Sequence, residues 1–382
     1  MKFSEIVGHK ELIERLRANI DSGRVSHAQL IVGECGWGTL QVALAYVQYL
    51  HCTHREGGES CGKCPSCVQI ASLAHPDVHF IFPIVNPSKT PTSDSFIGEW
   101  REIVAQSDAI FDEHDWYDKI DAQNAQGIIP QKEADEIIRK LSFKAFEGER
   151  KSVVIWLPER MKREAANSLL KILEEPWGGT LFLLISEHPE ALPTTITSRT
   201  QSINVGRIEP EELAEYAVRK LGATPEAAAA AARVADGSVI TLRRALQGEG
   251  VTATDNFELF TRLMRLSYSN RHLELFEWAE QLASAGRESQ KNFIEYALGL
   301  IRESYMLTAG VESVSHLWGA ERDFCLKFAP YVANHNVEAL VAEMERALRD
   351  IGQNGNPRTV LTHFALAVGR LIAHRGEELI AL

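Results

Sequence analysis

An apolar run, Ala28-Gln29-Leu30-Ile31-Val32, leads directly into Gly33-Glu34-Cys35-Gly36-Trp37-Gly38-Thr39-Leu40, and a helical stretch from Gln41 to Leu50 follows. A strand, a glycine-spaced loop and a helix in that order confine the chain to folds in which a buried strand delivers a loop to the edge of a parallel sheet. Gly33, Gly36 and Gly38 stand where a phosphate-cradling loop needs them. Such a loop also uses a Lys on the β/γ-phosphates and a Ser/Thr hydroxyl on magnesium. Here those two positions are Thr39 and Leu40. Leucine cannot ligate a metal ion, and no cation faces the phosphates. The frame is kept, and the chain is expected neither to bind ATP productively nor to hydrolyse it. The loop amides and the helix beginning near Gly38 can still attract an anion, a space that Trp37 is equally able to fill by packing.

A second cluster follows at once. Cys52, Cys61, Cys64 and Cys67 have the spacing C-x8-C-x2-C-x2-C, with Gly57, Gly58, Gly62 and Pro65 supplying turns between them. Four thiolates closing on one tetrahedral ion is the arrangement of structural zinc. Disulfides, free thiols and an iron–sulfur centre are the alternatives. Cys35 and Cys325 read as small buried apolar residues. His27, His51 and His54 could lie near the ion, but four cysteines already complete its shell.

The 382 residues are too many for one ordinary domain, and 45% hydrophobic composition supports substantial cores. A formal net charge of −12 argues against a protein that coats nucleic acid by charge alone. The first residues lack the apolar core of a signal peptide and no run is long enough to span a membrane, so a soluble, cytoplasmic protein is expected. Along the chain, helix is expected over 4–22, strand over 28–32, helix over 39–50 and strand over 78–82. Residues 83–130, rich in Pro, Ser, Asp and Asn, read as a long surface loop or small helices. Helix 130–141, strand 152–157, helix 162–174, strand 180–185 and a last strand 201–205 complete an α/β domain with a parallel sheet covered on both faces. Pro210 and Pro225 mark helix starts, and a third short helix runs over 239–247. After a linker at 248–254 the pattern is helical to the end, with a turn at 352–357. The expected domains are therefore 1–205 with the metal module at 52–67, a small helical domain at 206–250, and an all-helical domain at 255–382.

The most specific string is Asn167-Ser168-Leu169-Leu170-Lys171-Ile172-Leu173-Glu174-Glu175-Pro176. Together with Thr197-Ser198-Arg199-Thr200, Ile6-Val7-Gly8-His9, Ile129-Pro130-Gln131, the cysteine quartet and the degenerate loop, it resembles bacterial clamp-loader AAA+ proteins over residues 1 to about 250. The resemblance implies an AAA+ P-loop-type domain, a helical lid and a C-terminal helical collar. It also implies motor-subunit partners of the tau/gamma type, a delta subunit, and a sliding clamp and primed DNA reached through the complex. Motor members carry the loop Lys and an acidic magnesium motif after the third strand; here that strand ends Ile155-Trp156-Leu157-Pro158-Glu159, with its single acid beyond a proline. Both halves of the ATP machinery are damaged, so the chain is not itself expected to be an enzyme. Arg199, with Ser198 supporting it, matches the family position that reaches the neighbour's γ-phosphate, an arginine finger acting in trans. A bond to a local carboxylate is the plainer role for Arg199. Ser186 falls at a phosphate-sensing position; Arg243 and Arg244 lie near a second sensor region or are ordinary solvated or interface charges. A surface ion pair is the plainer reading of Lys171 and Glu175, while the resemblance implies that their helix belongs to the subunit interface or DNA-facing inner surface. His75 and Asp77 read as structural. Two other functions remain open: an active ATPase with an unusual loop, and a zinc-containing nucleic-acid binding protein.

Overall fold

The computed structural model describes residues 1–85, 92–122, 127–148, 150–246, 251–269, 271–310, 319–353 and 355–373. Two compact units, Met1–Leu246 and Gln247–Leu382, divide the chain.

In the first unit, β1 (Ala28–Val32), β2 (Val78–Ile81), β3 (Lys151–Trp156), β4 (Thr180–Ser186) and β5 (Gln201–Asn204) form one parallel sheet in the order β2-β3-β4-β1-β5. Its helices are α1 (Lys10–Asp21), α2 (Thr39–His51), α3 (Pro65–Ala71), α4 (Ile97–Gln106), α5 (Glu113–Lys119), α6 (Gln131–Ser142), α7 (Arg163–Glu174) and α8 (Thr194–Thr197). After β5 come α9 (Pro210–Leu221), α10 (Pro225–Val234) and α11 (Val239–Leu246).

Strands β3 and β4 are buried along their whole length, which is why their sequences lack polar alternation. Period-two geometry sends Leu181, Leu183 and Ile185 to one face and Phe182 and Leu184 to the other. The first face packs on α1, α2, α4 and α5; the second packs on α6 and α7. Strand β1 lies between β4 and β5, so the loop after it leaves the sheet where consecutive connections diverge, the usual place for a ligand crevice.

Three expectations need correction. The N-terminal helix does not begin at residue 4. Gly8 and His9 have φ of +73° and +61°, which no right-handed helix contains, and α1 starts at Lys10. That reversal folds Ile6 and Val7 under the body of the unit, where both are buried. Residues 83–130 are not merely a surface segment. Trp100 and Trp116 are fully buried and pack edge-to-face on each other; Trp100 stacks on Phe82 at 4.2 Å between ring centroids and contacts the β3 side of the core through Phe111 and Trp156. Each such aromatic pair adds about 0.5–1.5 kcal/mol beyond area burial. Residues 86–91 and 123–126 of that stretch lie outside the described residues. The linker expected at 248–254 is shorter, because helix has resumed by Val251; residues 247–250 lie outside the described residues.

The second unit holds α12 (Val251–Tyr268), α13 (His272–Ser284), α14 (Arg287–Thr308), α15 (Gly319–Phe328), α16 (Val337–Gly352) and α17 (Pro357–Ala373). It is all-helical, built around Phe260, Trp278, Phe293 and Phe364. Among the described residues no helix is long and apolar enough to cross a membrane.

Candidate functional sites

Helix α2 has a candidate site at each end. At its N-terminus the degenerate loop is held closed by its own unit. Gly36 sits at φ +86°, and a Cβ there would fall 2.1 Å from Ser238 Oγ. The amide of Val239 donates to the Gly36 carbonyl at 3.0 Å, so α11 seals the loop from above. Trp37 is half-buried against the main core and its carbonyl meets His9 Nε2 at 2.8 Å. Thr39 and Leu40, standing at the Lys and hydroxyl positions, are both buried, Leu40 within the main core.

Acids line the neighbouring strand ends. Glu159 accepts from the backbone N–H groups of Glu187 at 3.0 Å and His188 at 3.3 Å. Through one carboxylate oxygen it braces the exit from β4. Burial, reinforced by the charge of Glu159, pushes the Glu187 carboxyl up to about 7. Burial, with the charge of Glu187 next, pushes the Cys35 thiol well up, and Cys35 packs against the apolar cluster of α9–α11. Ser186 is fully buried, and its hydroxyl has no hydrogen-bond partner among the described residues. Arg243 is tied inward: it donates to the carbonyls of Ile110 at 2.9 Å and Ser107 at 2.8 Å and to the Tyr216 hydroxyl at 2.6 Å. Arg244 pairs with Asp112 at 2.7 Å. Arg243 thus binds α11 to the α4–α5 region, while Arg244, about half exposed, makes a surface ion pair.

At the C-terminus of α2 the cysteines converge. The sulfurs of Cys52, Cys61, Cys64 and Cys67 all lie within 4.8 Å of one another, and those of Cys61 and Cys67 are 3.9 Å apart. A tetrahedral ion with metal–sulfur bonds of ~2.3 Å requires sulfur separations of about 3.8 Å. No disulfide joins them. The amides of Lys63 and Cys64 point at Cys61 Sγ at 3.4 and 3.3 Å and hold that thiol below its ordinary range. Burial opposes ionisation at Cys64, but N–H groups, Thr53 first among them, bring it down to about 6. Burial pushes the Cys52 and Cys67 thiols up, so the fit to a divalent ion such as zinc rests on the four convergent sulfurs.

The module is anchored by Gln48 donating to Ser60 Oγ at 2.9 Å and by the Arg17–Glu59 ion pair. The nearby histidines are otherwise engaged: His51 with Ser152, His27 with the Leu173 carbonyl, His54 with Thr53. His75 and Asp77 are structural, Asp77 accepting the amides of Phe146 and Glu147 at 2.6 and 2.8 Å.

A third site lies on the connections flanking β4. Helix α8 ends at Thr197 with Ser198 as its C-cap, and Arg199 follows. Arg199 Nη1 donates to the Thr195 carbonyl at 2.8 Å and, at 3.4 Å, to Ser198 Oγ, while Nε and Nη2 engage the Glu174 carboxylate. The expected Lys171–Glu175 pair does not form. Helix α7 ends at Glu174, and Glu175 turns away at φ −127°, ψ +75°, so the four-residue helical spacing no longer applies. The partner relation between Glu174 and Arg199 bridges 25 positions, and nothing in local spacing signalled it.

A parallel sheet delivering a sealed, glycine-spaced loop, with helices on both faces and a helical segment closing over that loop, defines an AAA+ P-loop-type protein. A family model described as DNA polymerase III, delta subunit, matches residues 8–209, more than half of the chain, and the chain belongs to that family. Among its relatives, the DNA polymerase III subunit delta' of Bacillus subtilis is 29% identical over 210 residues, covering 55% of this chain and 51% of that protein. The delta' subunit of Escherichia coli is 26% identical over 307 residues, covering 80% and 77%. The tau/gamma subunit of Haemophilus influenzae is 23% identical over 214 residues, covering 56% and 25%. The match thus spans about half the length of the Bacillus relative and a quarter of the tau/gamma one.

Proposed function

We propose that this chain is a non-hydrolysing subunit of a bacterial sliding-clamp loader, which supports ATP-dependent loading of the clamp on primed DNA and offers Arg199 to ATP held by an adjacent motor subunit. The burial of Thr39 and Leu40 in the two positions that ATP chemistry needs carries this reading. A loop sealed by Ser238 and bordered by Glu187 and Glu159 repels a polyphosphate instead of cradling it. Arg199 requires no nucleotide in its own chain. It is a planar cation at the end of α8, one-third exposed, able to stabilise charge developing on a γ-phosphate across an interface. Ser198 steadies it as the cap of α8.

On this reading residues 206–250 serve as the lid and 255–382 as a collar that joins the subunits. The partners are tau/gamma-type motor subunits and a delta subunit, with clamp and primed DNA engaged through the assembly. The cysteine quartet holds structural zinc, which fixes the 52–67 turn against α2 and takes no part in the reaction.

The test is clamp- and primed-DNA-stimulated ATP hydrolysis by a loader reconstituted with this chain or its Arg199→Ala form, with equal assembly confirmed by gel filtration. Hydrolysis at the neighbouring site is expected to fall by on the order of 10³-fold. Unchanged turnover in an intact assembly overturns the trans-activating role.

A further inference from the structure

Arg199 is already engaged before any partner arrives. Its Nε and Nη2 edge lies on Glu174, and Nη1 is held by the Thr195 carbonyl. Of the five N–H donors of a guanidinium, those that would grip a phosphate are largely spent inside the chain. A phosphate can take the forked edge only if Glu174 releases it. The latch is built to be weak. Glu174 is about half exposed and Arg199 about one-third, and water screens such a pair. Glu174 is also the last residue of α7, where the carbonyl end of the helix disfavours negative charge. Glu175 and Pro176 stop the helix there and hold the carboxylate at the rim beside α8.

We propose that Glu174 is a positioning residue that parks Arg199 on its own chain and yields it to an anionic phosphate presented by a neighbouring subunit. This inference rests on the proposed role of Arg199. A parked guanidinium reduces the fraction of the chain competent to act, and the apparent activity is reduced by that fraction. Parking also keeps an exposed cation from gripping unrelated anions while the subunit is unassembled. The exchange is one ion pair for another, and no covalent bond changes.

The experiment uses the reconstituted loader with wild-type chain, Glu174→Gln, Arg199→Ala and the double variant, measuring ATP turnover without clamp or DNA. Glu174→Gln is expected to raise kcat about two- to fivefold, the range that the loss of an exposed pair corresponds to, with assembly unchanged. The double variant is expected to match Arg199→Ala, an epistasis that a merely structural Glu174 would not produce. If Arg199→Ala lowers turnover but Glu174→Gln leaves it equal or lower, the latch is overturned and the finger stands. A gain that persists in the double variant also overturns the latch. If Arg199→Ala has no effect, the proposed function itself fails, and the latch with it.

Discussion

Helix α2 joins two glycine-bearing turns of different make-up. At its start, the loop of residues 33–40 has Thr39 and Leu40 where ATP chemistry uses a Lys and a hydroxyl; at its end, the turn of residues 52–67 brings four thiols together. The difference lies in how many separate parts each site needs. A four-thiol centre draws every ligand from one short stretch and acts as a unit, and losing one thiol forfeits most of its contribution to folding. An ATP site needs a loop Lys, a metal hydroxyl and an acid from another strand, and it stabilises nothing when nucleotide is absent. In the loop the visible interactions are packing ones: Leu40 lies in the core, and Ser238 and Val239 close on Gly36.

Removing the metal site is the strongest challenge to this contrast. Chelation, or the paired change Cys64→Ser/Cys67→Ser, is expected to destabilise the 1–246 unit by several kcal/mol, lowering its Tm by about 10 °C or more. Metal content by elemental analysis and thermal unfolding followed by circular dichroism check it. A metal-free chain with unchanged Tm would mean that the quartet contributes as little to the fold as the emptied loop.

Rebuilding the loop with Thr39→Lys/Leu40→Ser tests the other side. Placing polar groups at two buried positions is expected to cost about 2–4 kcal/mol. It should not restore ATP hydrolysis by the isolated chain, because the acid after β3 is engaged with the amides of Glu187 and His188. Magnesium-dependent turnover by this variant would show that only two side chains had been lost.

A smaller effect sharpens the account of the acidic border. The Glu187 carboxyl is raised from 4.5 to about 7 in the folded chain. Between those values the folded chain keeps a proton that the unfolded chain has released. The associated stability is therefore present below pH 4.5 and lost as pH rises through 7. Glu187→Gln is expected to gain on wild type across that window, reaching roughly 1–3 kcal/mol by pH 8. Urea unfolding at pH 5 and pH 8 measures it; an advantage that is equal at both pH values removes Glu187 as a buried acid. Glu133, also raised to about 7 by burial, stays as an internal reference.

The sheet was legible because its strands carry their own signal. The Val153–Trp156 and Leu181–Ile185 runs are unbroken apolar stretches, as strands buried on both faces tend to be. The cysteine quartet was legible for a related reason: its chemistry is complete within sixteen consecutive residues. The stretch from Pro83 to Pro130 was not, since its polar composition hides the fact that Trp100 and Trp116 form the plug on which the rest hangs. The early helix start failed because the hydrophobic spacing of α1 extends into Ile6 and Val7, while the left-handed turn at Gly8 and His9 breaks the helix between them.

By itself, then, the sequence determined the strand–loop–helix frame, the loss of the loop Lys and metal hydroxyl, and the four thiols. These are statements about which groups exist and how closely the chain spaces them. Only the tertiary structure decided which groups meet: Glu174 with Arg199, Cys35 with Glu187, Arg243 with the carbonyls of Ser107 and Ile110. Those encounters span from 25 to more than 100 positions of chain. Their partners are chosen by how the sheet stacks its connections, and local periodicity has no access to that geometry.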